Sequence, residues 1–176
     1  LIASAAWLLN QPVRCVYQRG ESMASSTKRH PAKIWAQAQA NQQGQLISYD
    51  FRGDFNTGAY ASWGPTVAGR VPIHATGPYY LPNVRNQTRA IYTNQPPAGA
   101  FRGFGVPQAA LAHEALMDEL AEKLKLDPLE FRFNNALRAG HQTATGQLLQ
   151  HSVGLSQCLE QLRPHWQTLR NKAELF

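Results

Sequence analysis

Apolar residues follow two different rhythms along this chain, and the change between them divides it into halves. The opening "LIASAAWLLN" (residues 1–10) is apolar almost throughout and has the length of a helix rather than of a strand. It is similar to the apolar part of a signal peptide, but no basic region or starting methionine precedes it, so it reads as an internal helix. "PVRCVYQ" (12–18) places Val13, Cys15 and Tyr17 on one side by the period-two rule and reads as a short strand. "GESMASST" (20–27) is a small-residue turn or short helix. "AKIWAQAQANQQGQLISYDF" (32–51) reads as two strands joined near "NQQG", with Ile34, Ala36 and Ala38 on one face of the first and Leu46, Ser48 and Asp50 on one face of the second. Glycine and proline are dense from 52 to 83, which predicts loops and short helices, and "VRNQTRAIYT" (84–93) resumes strand composition.

From residue 107 onward the period is helical. Pro107 and Gln108 open a helix in which Ala109, Ala112, Leu116, Leu120 and Leu124 recur at one face, with Glu119, Glu122 and Lys123 mainly elsewhere. "LDPLEF" (126–131) combines Asp127 as N-cap, Pro128 at the first helical position, Glu130 for a capping box, and Leu126 with Phe131 for a hydrophobic staple. That helix is predicted to reach Ala139 and stop at Gly140, whose tolerance of positive φ suits a C-cap. A last helix spans about 155–171, with Pro164 expected to break or kink it. Strands and a hairpin first, with packed helices after, give an α+β fold.

Composition narrows the class without naming a function. A length of 176 residues suits one domain, and 43% hydrophobic against 16% charged residues is globular composition. No apolar run approaches a membrane span, so no membrane is expected as a partner. Seventeen Lys and Arg against 11 Asp and Glu leave a formal charge of +6, which favours anionic partners by steering, although the densest run, "STKRHPAK", holds only Lys28, Arg29 and Lys33. Cys15 and Cys158 are far apart and outside any CxxC spacing, so this chain is not expected to hold an iron–sulfur cluster or a four-ligand zinc site. A reducing compartment, the cytoplasm, is the expectation, with the periplasm as the alternative.

The familiar catalytic motifs do not match. The six histidines (His30, His74, His113, His141, His151 and His165) have no metal-ligand spacing. No Walker loop occurs, and "RGFGVPQ" misses the dinucleotide fingerprint because Gln108 stands where its third glycine belongs. "GESMA" keeps only the first glycine of a serine-nucleophile elbow, and Glu114, Asp118, Glu119 and Glu122 are explained by a charged helix face. What is left is "GAFRGFGVPQ" (99–108). Backbone amides near Gly103 and Gly105 are unshielded by side chains, the amides opening the following helix are free to hold an anion or oxo group, and Phe101 and Phe104 could wall a planar substrate. An ordinary aromatic-anchored loop fits the same residues.

These segments together resemble a known family. "GAFRGFGVPQ", the helix after it and "LDPLEFRFNNAL" are similar to the molybdenum-binding part of the xanthine oxidase family of molybdenum hydroxylases, especially the bacterial aldehyde oxidoreductases. "QPVRCVYQRGESMASSTKRHPA", "YDFRGDFNTGAYASWG", "TGPYYLPNVR" and "TGQLLQHSVGLSQCLEQL" fall in the family's order, so the resemblance covers nearly the whole chain. It implies that residues 1–176 are a fragment of a larger molybdopterin-binding domain. The implied reaction is hydroxylation of an aldehyde or N-heterocycle carbon with a water-derived oxygen. The implied cofactor is molybdenum–molybdopterin in its cytosine dinucleotide form, with electrons leaving through two [2Fe-2S] clusters, and FAD, on other domains or subunits of an enzyme that is homo-oligomeric when full length. Carried over by position, the backbone at Phe101, Arg102 and Gly103 faces the molybdenum ligands, the Arg102 amide being the main contact, and the Arg102 side chain buttresses the loop. Phe104 lines the substrate channel, Trp63 falls near an aromatic channel position, and Arg70 falls where purine-oxidising members carry a substrate-orienting arginine. The catalytic glutamate is expected after Phe176 and the first glycine-rich cofactor motif before Leu1, so no catalytic residue is assigned. The rival readings are a basic module that binds nucleic acid through Lys28, Arg29, Lys33 and nearby aromatics, and an assembly piece of a larger subunit.

Overall fold

A computed structural model describes residues 1–173. Strands β1 (Ala32–Ala40) and β2 (Leu46–Gly58) form the antiparallel hairpin expected around "NQQG". Its turn is closed by the Asn41 amide, which donates to the Gln45 carbonyl at 2.9 Å, and by the Asn41 carboxamide oxygen, which accepts from the Gln43 and Gln45 amides. Pairing runs in register from Ala32 opposite Phe55 to Gln39 opposite Ser48, then slips so that Ala40 meets Leu46 and Ile47 is left over. Such a bulge reverses which side of the sheet a side chain faces. Leu46 is therefore buried together with Tyr49, Phe51 and Phe55, whereas the even alternation expected from sequence grouped it with Ser48 and Asp50, which are half-buried. On β1 the expected face of Ile34, Ala36 and Ala38 does pack on the core.

β2 continues through "RGDFNTG", where glycine density had predicted a loop. Gly53 is tolerated in this buried strand because a Cβ there would press on the Phe51 and Phe55 rings at 3.2 and 2.7 Å. Helix α3 (Gly64–His74) then crosses to β3 (Asn83–Tyr92), which runs parallel to β2 and completes a sheet of order β1-β2-β3. Helix α4 (Val106–Leu124) packs with α3 over one sheet face, and α5 (Pro128–Asn135) and α6 (Leu155–Ala173) follow. The core joins Phe51, Phe55, Val71, Ala109, Met117 and Phe131. Two short helices, α1 (Ile2–Leu9) and α2 (Arg19–Ser25), precede the sheet and bury no residue. The fold is α+β, with helices on both sides of the strands in chain order.

Several local expectations are corrected. Residues 12–18 form no strand: no neighbour among the described residues pairs with them, and Val16 and Tyr17 stay exposed. The centre of the packed face of α4 is Ala109, His113, Met117 and Ala121, with the predicted Ala112, Leu116, Leu120 and Leu124 half-buried beside it. α5 ends at Asn135, short of Ala139, because the Asn135 carboxamide is recruited into the core. It accepts from the Leu46 amide and donates to the Gly44 and Phe131 carbonyls, each at 2.8 Å, and Ala136 turns extended to bridge Tyr79. Asp127 caps α5 as expected, but Glu130 pairs with Arg163 of α6 at 2.8 Å and does not close the box. α6 passes through Pro164 without ending.

At the end of the fold away from the β2 terminus, Glu114 of α4 ties α5 and the segment before β3 to its own helix. It accepts from the Tyr79 hydroxyl at 2.9 Å and from Arg132 of α5 at 2.8 Å, and His113 lies against it. Burial pushes the Glu114 carboxyl up, but hydrogen bonds from His113, Arg132 and Tyr79 outweigh it and bring the pKa down to about 2. A carboxylate lowered in the folded state adds stability that is present above its ordinary value of 4.5 and is lost as pH falls through about 2. Glu114→Gln should therefore destabilise the chain at neutral pH, and the gap in urea midpoint between the two proteins should close as pH falls from 4.5 toward 2. A gap that does not change with pH would contradict this assignment.

Candidate functional site

Parallel strands β2 and β3 end side by side, with Gly58 opposite Tyr92. From these carboxyl ends the chain passes through residues 59–63 into α3 and through 93–105 into α4, so two helix N-termini open at one end of the sheet. In sheets with parallel strands this end is where ligands bind, because unpaired first-turn amides and the positive ends of helix dipoles collect there. The connections are held tightly. The Ala98 amide donates to the Thr57 carbonyl at 2.9 Å and the Ala59 amide to the Gln95 carbonyl at 3.0 Å. Gly58, at φ +75°, has its α-carbon against the Pro96 carbonyl, with no space for a side chain.

The loop before α4 is a run of left-handed residues: Gly103 at φ +85°, Phe104 at +48° and Gly105 at +95°. Two bonds stitch it, from the Phe104 amide to the Phe101 carbonyl at 2.8 Å and from the Val106 amide to the Gly103 carbonyl at 3.0 Å. Phe104 holds a conformation unfavourable for a residue with a side chain, and its ring is fixed edge-on against Trp63, the N-cap of α3, with centroids 5.8 Å apart. At Gly105 a Cβ would lie 2.7 Å from Val71 Cγ2 and 3.1 Å from the Val67 carbonyl, so glycine is what lets the start of α4 press onto α3. Among the described residues, the amides of Arg102, Gly103 and Gly105 have no acceptor.

A second segment supports this loop from behind. Arg29 donates from Nη2 to the Arg102 carbonyl at 2.6 Å, reaches Gln108 Oε1 from Nη1 at 3.4 Å, and lays its guanidinium over the Phe101 ring at 4.7 Å. Gln108 in turn donates to the His30 carbonyl at 3.2 Å. His30 is 3% exposed, and burial lowers its pKa below the ordinary histidine value. Lys28 is also turned inward, with Nζ donating to the Ser22 carbonyl at 2.7 Å and to the Ser26 carbonyl at 2.8 Å. Two of the three cations in the basic run, Lys28 and Arg29, thus bond to carbonyls within the chain.

Of the residues singled out from sequence, Phe101, Arg102, Gly103 and Phe104 share one turn, and Trp63 meets Phe104. Arg70 lies seven residues beyond Trp63 on α3, on the same face and exposed, with no hydrogen-bond or ion-pair partner among the described residues. Two details differ from expectation. The Arg102 side chain, expected to buttress the loop, is exposed and has no partner among the described residues; Arg29 takes that part. The two phenylalanines do not form one wall, because Phe101 faces Arg29 and Phe104 faces Trp63. Arg29 was singled out only for the basic run and Gln108 only as a start of the helix, and neither was linked to the loop, since nothing in the linear pattern connects positions 73 and 79 residues apart.

Among the described residues no group of three His, Cys, Asp or Glu could hold a metal ion. The donors that are present, unpaired amides beside a guanidinium with no carboxylate partner, suit oxygen atoms or anionic groups of a centre that brings its own ligands. A wider concavity on the outer sheet face, lined by Trp35, Asp50, Arg52, Asp54, Gln87 and Arg89, is occupied by the Asp54–Arg89 and Asp50–Arg52 pairs and lies away from the loop.

Residues 1–136 match the family model described as the molybdopterin cofactor-binding domain. The chain is 46% identical over 153 residues to the nicotinate dehydrogenase large molybdopterin subunit of Eubacterium barkeri, covering 87% of this chain and 36% of that protein. It is 35% identical over 174 residues to the aldehyde oxidoreductase of Megalodesulfovibrio gigas, covering 99% of this chain and 19% of that protein. The solved structure of the aldehyde oxidoreductase from Desulfovibrio gigas superposes with a TM-score of 0.89 at 35% identity, over 98% of this chain and 19% of that one. The chain thus spans about a third or less of the length of these relatives.

The contact at Gly105 gives a direct test of the site's construction. Gly105→Ala adds a methyl group to a left-handed residue pressed on Val67 and Val71, and should cost about 3 kcal/mol or more, read from the urea midpoint. A loss below about 1 kcal/mol, the range of ordinary substitutions, would contradict it.

Proposed function

This chain belongs to the molybdopterin cofactor-binding domain family, and from that premise we propose that it is part of a molybdenum hydroxylase whose 99–105 loop presents backbone amides to the molybdenum centre. One observation carries the reading: the free Arg102 and Gly103 amides sit at the carboxyl ends of β2 and β3 beside an unneutralised guanidinium. When bound, the molybdenum–molybdopterin group supplies the oxidation chemistry. The chain's own part is to hold and orient. The Arg102 and Gly103 N–H groups donate to oxygen atoms of the centre, and rigid, preorganised donors of this kind act most strongly where water is excluded.

Trp63 and Phe104 supply that exclusion. Their edge-on pair makes an apolar patch next to the amides, suited to the flat face of an aldehyde-bearing or N-heterocyclic substrate. Arg70, two helical turns along α3, is the residue proposed to orient a polar or anionic substituent of such a molecule. The reaction proposed is hydroxylation of an aldehyde or N-heterocycle carbon with water-derived oxygen, with electrons passed to [2Fe-2S] clusters, and onward to FAD, held by other domains or subunits. The cytosine dinucleotide form of the cofactor, a homo-oligomer and a cytoplasmic location complete the proposal. No helix among the described residues is long and apolar enough to cross a membrane.

Two outcomes test it. Purified by itself, this chain should carry little molybdenum and turn over no aldehyde; stoichiometric metal or turnover would contradict that. In the full-length polypeptide, Arg102→Ala keeps the backbone N–H, whereas Gly103→Val forces a β-branched residue into φ +85° with its Cβ 2.6 Å from the Pro107 ring. Molybdenum per protein should stay within about twofold of the parent in the first and fall about tenfold or more in the second. Equal loss in both would contradict the assignment of Arg102 to a main-chain role.

A further inference from the structure

We infer that Arg29 is a positioning residue that sets the direction of the Gly103 N–H, an inference that rests on the proposed role of the loop. In a trans peptide the C=O and N–H of one unit point opposite ways, and no peptide among the described residues is cis. The Arg102 carbonyl and the Gly103 amide belong to one such unit. Arg29 Nη2 pulls that carbonyl toward itself at 2.6 Å, and so turns the Gly103 N–H to the opposite side of the loop. The preceding unit is fixed locally, because the Phe101 carbonyl accepts from the Phe104 amide at 2.8 Å and the Arg102 N–H points the other way. One amide is thus oriented within the turn and the other by a residue 73 positions upstream.

Arg29 is suited to this because it is itself immobilised. Its guanidinium is stacked on Phe101 and bonded to Gln108, and the backbone on either side is pinned by the Gly99 amide on the Lys28 carbonyl at 3.0 Å and the Asn56 amide on the Pro31 carbonyl at 2.8 Å. Without it, the peptide between Arg102 and Gly103 adjoins a glycine whose backbone has the widest freedom of any residue. Lysine cannot substitute, since a point charge on a flexible stem offers neither the planar fork nor the stacking face.

The test compares parent, Arg29→Lys, Arg29→Gln and Lys33→Ala in the full-length enzyme, by molybdenum content, kcat and KM, the paramagnetic signal of the reduced centre, and crystal structures of parent and Arg29→Lys. Arg29→Lys should reorient the 102–103 peptide, lower kcat about tenfold with KM within about twofold, and shift the paramagnetic signal, while Lys33→Ala matches the parent. An unchanged peptide and signal in Arg29→Lys would overturn the inference. So would failure of both Arg29 variants to fold, which would make the residue structural. A parent enzyme without stoichiometric molybdenum would overturn the reading of the loop instead, and the peptide orientation in the two crystal structures would still decide the part played by Arg29.

Discussion

The close approach of α3 and α4 at Gly105 is the constraint on which the site depends. Because no Cβ intervenes there, the first turn of α4 lies directly on Val67 and Val71, and both helices start from the same end of the sheet. That contact forces the residues before it into a left-handed run, and the run leaves the Arg102 and Gly103 amides unpaired. The donors are therefore a consequence of how two helices pack, and their cost is met by burial in the core beneath them.

Charge is arranged in two zones with different purposes. Around Glu114, carboxylate, guanidinium and phenol satisfy one another and lock α4 to α5 and to the chain leading into β3. Around Arg29, a guanidinium meets carbonyl, amide and ring but no carboxylate among the described residues, so its positive charge is left uncancelled beside the loop. The first arrangement stabilises the fold. The second leaves a field that favours an anionic or oxygen-rich ligand where the amides point.

Much of this was legible in the sequence where local chemistry decides structure. "NQQG" between alternating strands specified the hairpin, Asp127 with Pro128 specified the start of α5, and "GAFRGFGVPQ" stood out as a loop of unshielded amides before a helix. What stayed hidden was set by contacts between distant residues. The bulge at Ile47 reassigns the faces of β2, Asn135 ends α5 by bonding to the hairpin, and Arg29 reaches a carbonyl far along the chain. Residues 12–18 show the reverse case, a strand-like composition with no neighbouring strand among the described residues to pair with. Family resemblance identified the loop; only the fold showed what holds it.

In the proposed function the 102–103 amides face the molybdenum centre. Crystals of the full-length enzyme, measured on either side of the molybdenum absorption edge, would locate the metal by its anomalous signal. A single strong peak is expected beside the loop, with oxygen ligands of the metal within about 3 Å of the Arg102 and Gly103 nitrogens. A peak at another end of the sheet, or one separated from these amides by protein, would contradict it.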